Sequence, residues 1–161
     1  VQTDAPFTRG SSGGALVDDE GNLIGITTAV GVSDLGPEGL GFATPVEVMN
    51  RVTDEIIANG SSGHGFLGIL GSTQLAAQAD GGQAPVGVLV SQVFDGSSAR
   101  VSGIEAGDII TTVDGRNVTT MEGLVSTLRR FGPGDFVDVE VRRAGTPLSV
   151  TLELGDRTEA P

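Results

Sequence analysis

The residues with the clearest chemistry form the run Gly10-Ser11-Ser12-Gly13-Gly14. A serine hydroxyl attacking an amide carbonyl needs backbone N–H groups aimed at the developing oxyanion, and glycines let the chain turn sharply enough to present them. A plain flexible turn has the same composition, so the motif alone leaves both readings open. Serine attack also requires a base hydrogen-bonded to the hydroxyl and a carboxylate that orients the base. The sole imidazole is His64, in Gly60-Ser61-Ser62-Gly63-His64-Gly65, a run with linker composition in which a histidine is expected to be solvated. A second constellation, Phe66-Leu67-Gly68-Ile69, follows directly. As a loop around its glycine, it would present successive backbone N–H groups. It reads equally as a first strand with an interior glycine.

The elements that would position these groups are mostly short strands. Ala15-Leu16-Val17 and Leu23-Ile24-Gly25-Ile26-Thr27 flank Asp18-Asp19-Glu20-Gly21-Asn22 and predict a β-hairpin. A Gly, Ser, Asp and Pro-rich loop from Gly31 to Gly39 precedes the apolar stretch Leu40 to Ala43. Pro45 fits a helix's first turn, Val48, Met49, Val52 and Ile56 recur at helical spacing, and Asn59-Gly60 closes that helix. After the linker, Val86–Val93 and Ile109–Val113 predict strands with a short helix between Asp95 and Val101. Met121 to Arg130 carries Met121, Leu124, Val125 and Leu128 on one helical face, a stripe that suits either a binding groove or simple core packing. Phe136–Arg142 and Leu148–Leu154 alternate with period two around Ala144-Gly145 and predict a closing hairpin. The fold class is mainly β with short helices (α+β), the second half being a small, partly open barrel.

Composition narrows the functions. All nine basic residues are arginine, against 21 Asp and Glu, for a net charge of −12. No basic stripe exists for nucleic-acid phosphates. With no cysteine and one histidine, thiolate and histidine-cluster metal sites are excluded, and no cofactor is implied. No window approaches the roughly 18 consecutive apolar residues that span a bilayer. Hydrophobic residues reach only 38%, yet they fall in periodic runs that can build a core. The chain starts at Val1, and its first residues read as the middle of a fold, so its N-terminus is taken as a cut.

Several motifs in order resemble the HtrA/Deg-type serine proteases. They are Val1-Gln2-Thr3-Asp4-Ala5, Arg9-Gly10-Ser11-Ser12-Gly13-Gly14-Ala15-Leu16-Val17, Gly21-Asn22-Leu23-Ile24-Gly25-Ile26-Thr27-Thr28-Ala29 and Gly39-Leu40-Gly41-Phe42-Ala43-Thr44-Pro45. Phe66-Leu67-Gly68-Ile69 resembles the carboxylate-binding loop of that family's PDZ domain. Gly96-Ser97-Ser98-Ala99-Arg100-Val101-Ser102-Gly103-Ile104-Glu105-Ala106-Gly107-Asp108-Ile109-Ile110 and Val113-Asp114-Gly115 look like two further stretches of it. The resemblance covers essentially the whole chain. It departs at Ser11, where the family usually has Asn, and at Pro6-Phe7.

The resemblance implies a C-terminal part of a trypsin-like protease domain over residues 1–59, a linker at 60–64, a PDZ domain at 65–155 and a tail at 156–161. It makes Ser12 the nucleophile and gives the oxyanion hole to the Gly10 and Ser12 N–H groups. Phe7, with Gly39, Leu40 and Gly41, would line a specificity pocket that favours small or medium apolar P1 side chains, since a charge there would be desolvated. Phe66, Leu67, Gly68 and Ile69, with Leu124 and Leu128, would bind apolar C-terminal peptides. The family's histidine and aspartate precede the serine, and neither segment is in these residues, so this chain on its own is expected to be inactive. The implied activity is endoproteolysis of unfolded or misfolded proteins by a homo-oligomer, a trimer, in an extracytoplasmic bacterial setting. The rival reading is a non-catalytic PDZ peptide-binding protein.

Overall fold

The computed structural model describes residues 1–156 except Phe7, Arg9, Asp34, Leu35 and Asp80, and gives the backbone alone for residues 29–40. The chain forms two compact units, Val1–Ser61 and Ser62–Pro161.

The first unit is an antiparallel sheet in the order β1-β4-β3-β2, built from β1 (Gln2–Thr3), β2 (Ala15–Val17), β3 (Leu23–Ser33) and β4 (Gly36–Pro45). Ala15 faces Ile26 and Leu16 faces Gly25, which is the expected hairpin. Its loop is organised by Asp18, whose Oδ1 accepts the Asn22 N–H at 2.8 Å and the Glu20 N–H at 3.0 Å. The expected loop from Gly31 to Gly39 is mostly strand instead: Val32 pairs with Pro37 and Ser33 with Gly36. Ladder pairing overrides local Gly and Pro composition here; Asp34 and Leu35 lie outside the described residues.

Helix α1 (Val46–Asn59) follows at once. Pro45 has φ −58° and ψ 145°, so it is the N-cap and precedes the first turn where it was expected. Gly60, at φ 78°, ends the helix by donating its N–H to Ile56 O at 2.8 Å. Val48, Met49 and Val52 of the expected stripe are half-buried, whereas Ile56 is exposed. Among the described residues Ala43 is this unit's sole buried apolar side chain.

The second unit holds the core. Its elements are β5 (Gly65–Phe66), β6 (Ile69–Ala77), β7 (Gln83–Val93), α2 (Ser98–Val101), β8 (Ile109–Val113), β9 (Arg116–Asn117), α3 (Met121–Leu128), β10 (Phe136–Arg143), β11 (Thr146–Glu153) and β12 (Gly155–Asp156). The main sheet runs β11-β10-β8-β7-β6 with β9 on β8, and β12 pairs with β5. Both of its ends are open, so no barrel closes among the described residues. Alternation works as expected in β10, where Val137, Val139 and Val141 point inward while Phe136, Asp138, Glu140 and Arg142 face out. The inward side chains join Val88, Val90, Ile110, Val113, Leu152 and Leu154 in one cluster.

One buried charge is paired inside this unit. Asp108 is 1% exposed and accepts from Arg143 Nε at 2.7 Å and Nη2 at 2.8 Å, with the Glu105 N–H at 2.9 Å. These contacts tie the start of β8 to the end of β10. The Arg143 hydrogen bonds hold the Asp108 carboxyl below the ordinary aspartate value, against the opposing effect of burial.

Candidate functional site

A groove of about 300 Å³ lies in the second unit, lined by His64 to Ile69 on one side and by Met121, Leu124, Val125, Leu128 and Arg129 on the other. One wall begins with β6, the last strand of its sheet, paired with β7. The facing wall is α3, capped by Thr120, whose side chain accepts from the Gly123 N–H at 3.0 Å. Thr73 of β6 accepts from the Met121 N–H at 3.0 Å and joins the two walls.

At one end of the groove, Leu67 and Gly68 break the chain between β5 and β6, so the segment is a turn between two strands and not one strand with an interior glycine. Gly68 has φ +80°, and a Cβ there would lie 2.1 Å from the Ser97 Cβ. Both its conformation and its closeness to the α2 N-cap therefore require glycine. The loop's carbonyls are occupied: Leu67 O accepts the Ala99 N–H and Gly68 O the Phe94 N–H, each at 2.9 Å. Its donors are not. The Leu67 and Gly68 N–H groups have no acceptor among the described residues, although both residues are buried. Buried backbone donors are rarely left so, and an anion fits them. Phe66 stacks on Phe94 with ring centroids 6.4 Å apart, bracing the loop from behind.

The groove brings together all six of the expected peptide-site residues. Leu124 and Leu128 are 1% and 9% exposed and belong to the core cluster, as core packing requires, while they also line the groove. Met121, Val125 and Arg129 form a second line of the same wall. Their i, i+4 spacing was readable in sequence beside the leucines. His64 is exposed, as a linker residue would be, but it lines the groove.

In the first unit, Gly10 (φ +100°) and Gly13 (φ +88°) turn the chain around Ser12. The turn is pinned by Ser11 N–H to Thr8 O (3.1 Å), Gly13 N–H to Thr27 O (2.8 Å) and Gly14 N–H to Ser11 O (2.9 Å). Thr27, buried in β3, donates its hydroxyl to Ser11 O and was not singled out from sequence. The Gly10 and Ser12 N–H groups have no acceptor among the described residues. Ser12 is exposed, and its Oγ points to Thr28 O at 3.5 Å, a carbonyl that cannot take a proton. Gly41 is buried in β4, opposite Thr3 and Val30. Gly39 and Leu40 lie in the same strand, described by backbone only, and Phe7 lies outside the described residues.

An edge strand beside an apolar helix, with backbone donors that have no acceptor among the described residues at one end, is the arrangement of a peptide-binding module. The family model described as "PDZ domain" matches residues 51–154. The chain therefore belongs to the PDZ-domain family, and it is similar to HtrA/Deg-type serine proteases over nearly its whole length. It is 38% identical to the periplasmic serine endoprotease DegP of Salmonella typhimurium, over 99% of this chain and 34% of the relative. Against the periplasmic pH-dependent serine endoprotease DegQ of Escherichia coli it is 37% identical, over 99% of this chain and 36% of the relative. The solved structure of the HtrA-type protease AlgW with decapeptide is similar at a TM-score of 0.56 and 34% identity, over 97% of this chain and 49% of that one. The chain thus spans about a third of the length of the curated relatives it matches.

Proposed function

We propose that this chain supplies the nucleophile turn and the peptide-capturing module of an HtrA-class serine endopeptidase that degrades unfolded or misfolded proteins outside the bacterial cytoplasm. The observation that carries the peptide half is the pair of unoccupied, buried N–H groups at Leu67 and Gly68, at the end of a groove bounded by the edge strand β6. A peptide's terminal carboxylate takes those donors, its main chain pairs along β6, and its last apolar side chain rests on Leu124, Leu128 and Val125. The decapeptide in the similar HtrA-type structure supports this reading.

Ser12 acts as the nucleophile, with the Gly10 and Ser12 N–H groups receiving the oxyanion. Phe7, Gly39, Leu40 and Gly41 shape an apolar P1 pocket, and the working enzyme is a homotrimer. The names of the relatives support the activity and the extracytoplasmic setting.

The groove is tested by titrating a short peptide ending in valine, as free acid and as amide, against the chain. Amidation removes a charge-assisted hydrogen bond and weakens binding by about 1.5–3 kcal/mol. Leu128→Glu weakens it too, by placing a charge against the carboxylate. Equal affinities for acid and amide, with Leu128→Glu silent, reject the groove.

A second reading, a non-catalytic peptide-binding protein, is favoured by the Ser12 hydroxyl, whose Oγ faces the Thr28 carbonyl with no base beside it among the described residues. A fluorophosphonate probe and casein address this. The chain alone gives no Ser12 adduct and no cleavage; stoichiometric labelling would show that a base is present. A coding frame upstream carrying a histidine and an aspartate in the family's context separates the protease from the binding protein.

A further inference from the structure

Strand β6 is longer than the groove it bounds. Met121, the first residue of α3, meets the strand at Thr73, and β6 runs on through Gln74 to Ala77. At about 3.3 Å per residue this continuation is roughly 13 Å long. It is one half of a two-stranded arm: Leu75 pairs with Pro85, Ala76 with Ala84 and Ala77 with Gln83, whereas β8 meets β7 at Val88 and Leu89. The Gln78 N–H donates to Gly82 O at 2.8 Å and closes the far end.

The free edge of β6 is regular along this length. Both register shifts in the hairpin pass over residues of β7, Ser91 and Val86, so β6 keeps its two-residue repeat throughout. Leu75 therefore shares a face with Ile69 and Thr73 of the groove wall. Ile69 is buried, while Leu75, past the start of α3, is 46% exposed beside an exposed Pro85. Proline also leaves β7 one donor short in the arm, whereas every residue of β6 keeps its N–H. Charge sets the same stretch apart. From Gly65 to Phe94 the sequence holds one formally charged residue, Asp80, in a chain of net charge −12.

Resting on the carboxylate reading above, we infer that β6 beyond Thr73 is an upstream subsite for the same peptide, which takes the residues five to eight positions before the last, selects them extended and uncharged, and seats an apolar side chain on Leu75.

The register follows from chain direction. A peptide whose carboxylate sits at Leu67 and Gly68, just before β6, runs antiparallel to the strand. With its last residue opposite Ile69, the residue six before it falls opposite Leu75 and the one eight before it opposite Ala77. Apolar cross-strand pairs at these places each add modestly, and together with the added ladder they tighten binding roughly three- to tenfold. The described residues of the arm offer no counter-charge to a charged side chain, and the acidic chain repels an anionic one. The favoured substrates are thus C-terminal tails with about nine residues free to be drawn out as strand, which unfolded chains supply.

The test uses the full chain and labelled, N-terminally capped peptides in anisotropy titrations. A five-residue peptide ending in valine is compared with a nine-residue one that adds Val-Thr-Val-Thr in front of it. The longer should bind roughly three- to tenfold tighter. Replacing both added valines by proline, which blocks the ladder, or by aspartate should remove the gain. Leu75→Asp should bring the ratio of the two affinities close to one, and the prolyl peptide asks the same question of the unaltered chain. Equal affinities for the five- and nine-residue peptides overturn the upstream subsite and leave the groove intact. A gain that survives both Leu75→Asp and the prolines overturns it too, since the added residues would then bind elsewhere. Equal binding of the nine-residue acid and its amide overturns the carboxylate reading and the inference with it.

Discussion

Thr73 Oγ1 accepts the Met121 N–H at 3.0 Å, so a strand residue satisfies one of the donors that a helix N-terminus leaves open. Since β6 and α3 are the two walls of the groove, this single bond sets their separation at the start of the helix. Thr73→Val keeps the shape and removes the acceptor. The expected loss is about 1 kcal/mol of stability, with weaker peptide binding from a looser wall. Thermal unfolding and a peptide titration on the same samples check both.

Gly68 is the tightest point of the carboxylate loop. Gly68→Ala forces a side chain into a left-handed conformation, at about 1–3 kcal/mol, and drives its Cβ into Ser97. The variant should be markedly destabilised and should lose free-acid peptide binding. Adding Ser97→Gly relieves the clash but not the backbone conformation, so the double variant should recover only part of the stability. Full recovery would show that space, and not φ, was the constraint.

Acid should weaken the Asp108–Arg143 tie. The folded-state value of Asp108 is depressed, so its stabilisation is complete above the unfolded aspartate value of 3.8 and is lost as pH falls through the folded value. Asp108→Asn should cost about 1.5–3 kcal/mol at neutral pH, because the buried acceptor loses its charge. It should also flatten the stability profile below about pH 4. Urea unfolding at pH 7 and pH 3 measures both, and an unchanged acid slope in the variant would assign that slope to other carboxylates.

The legibility of the chain followed the range of the interactions. Strands such as Ile109–Val113 and Phe136–Arg143 were visible because each alternates or runs apolar within its own length, and Asn59-Gly60 marked a helix end by a local rule. The Gly31 to Gly39 stretch was misread as loop because its strand character comes from partners such as Val32 with Pro37, which local composition does not encode. The two-residue strands β5 and β12 have too few residues for any period and exist only through each other. At the groove, the leucines and the Phe66 to Ile69 loop were legible as a motif. Thr73 and Arg129 were not picked out, and His64 was read only as a linker residue, since their places depend on which elements the fold sets side by side. Thr27 escaped for the same reason: its hydroxyl matters because β3 runs beneath the serine turn.

The two units should differ in their ability to fold alone. Every member of the hydrophobic cluster, from Leu67 to Leu154, lies in the second unit, and the one buried carboxylate among its described residues, Asp108, is paired within it. The first unit offers Ala43 as its buried apolar side chain among the described residues, while Val17, Leu23, Phe42, Ile56 and Ile57 stay largely exposed. Burial of apolar area is what offsets the conformational entropy of ordering a chain, at roughly 25 cal/mol for each Å² removed from water. A sheet with one helix and one buried apolar side chain among the described residues falls short of that requirement, and its edge strands are left open to unwanted pairing. Residues 62–161 should therefore give a cooperative unfolding transition and slow amide exchange across β7, β8 and β10. Residues 1–61 should exchange within the dead time and tend to aggregate. Slow exchange throughout Leu16 to Thr28 in the isolated 1–61 piece would contradict this, because it would require a core that the described side chains do not supply.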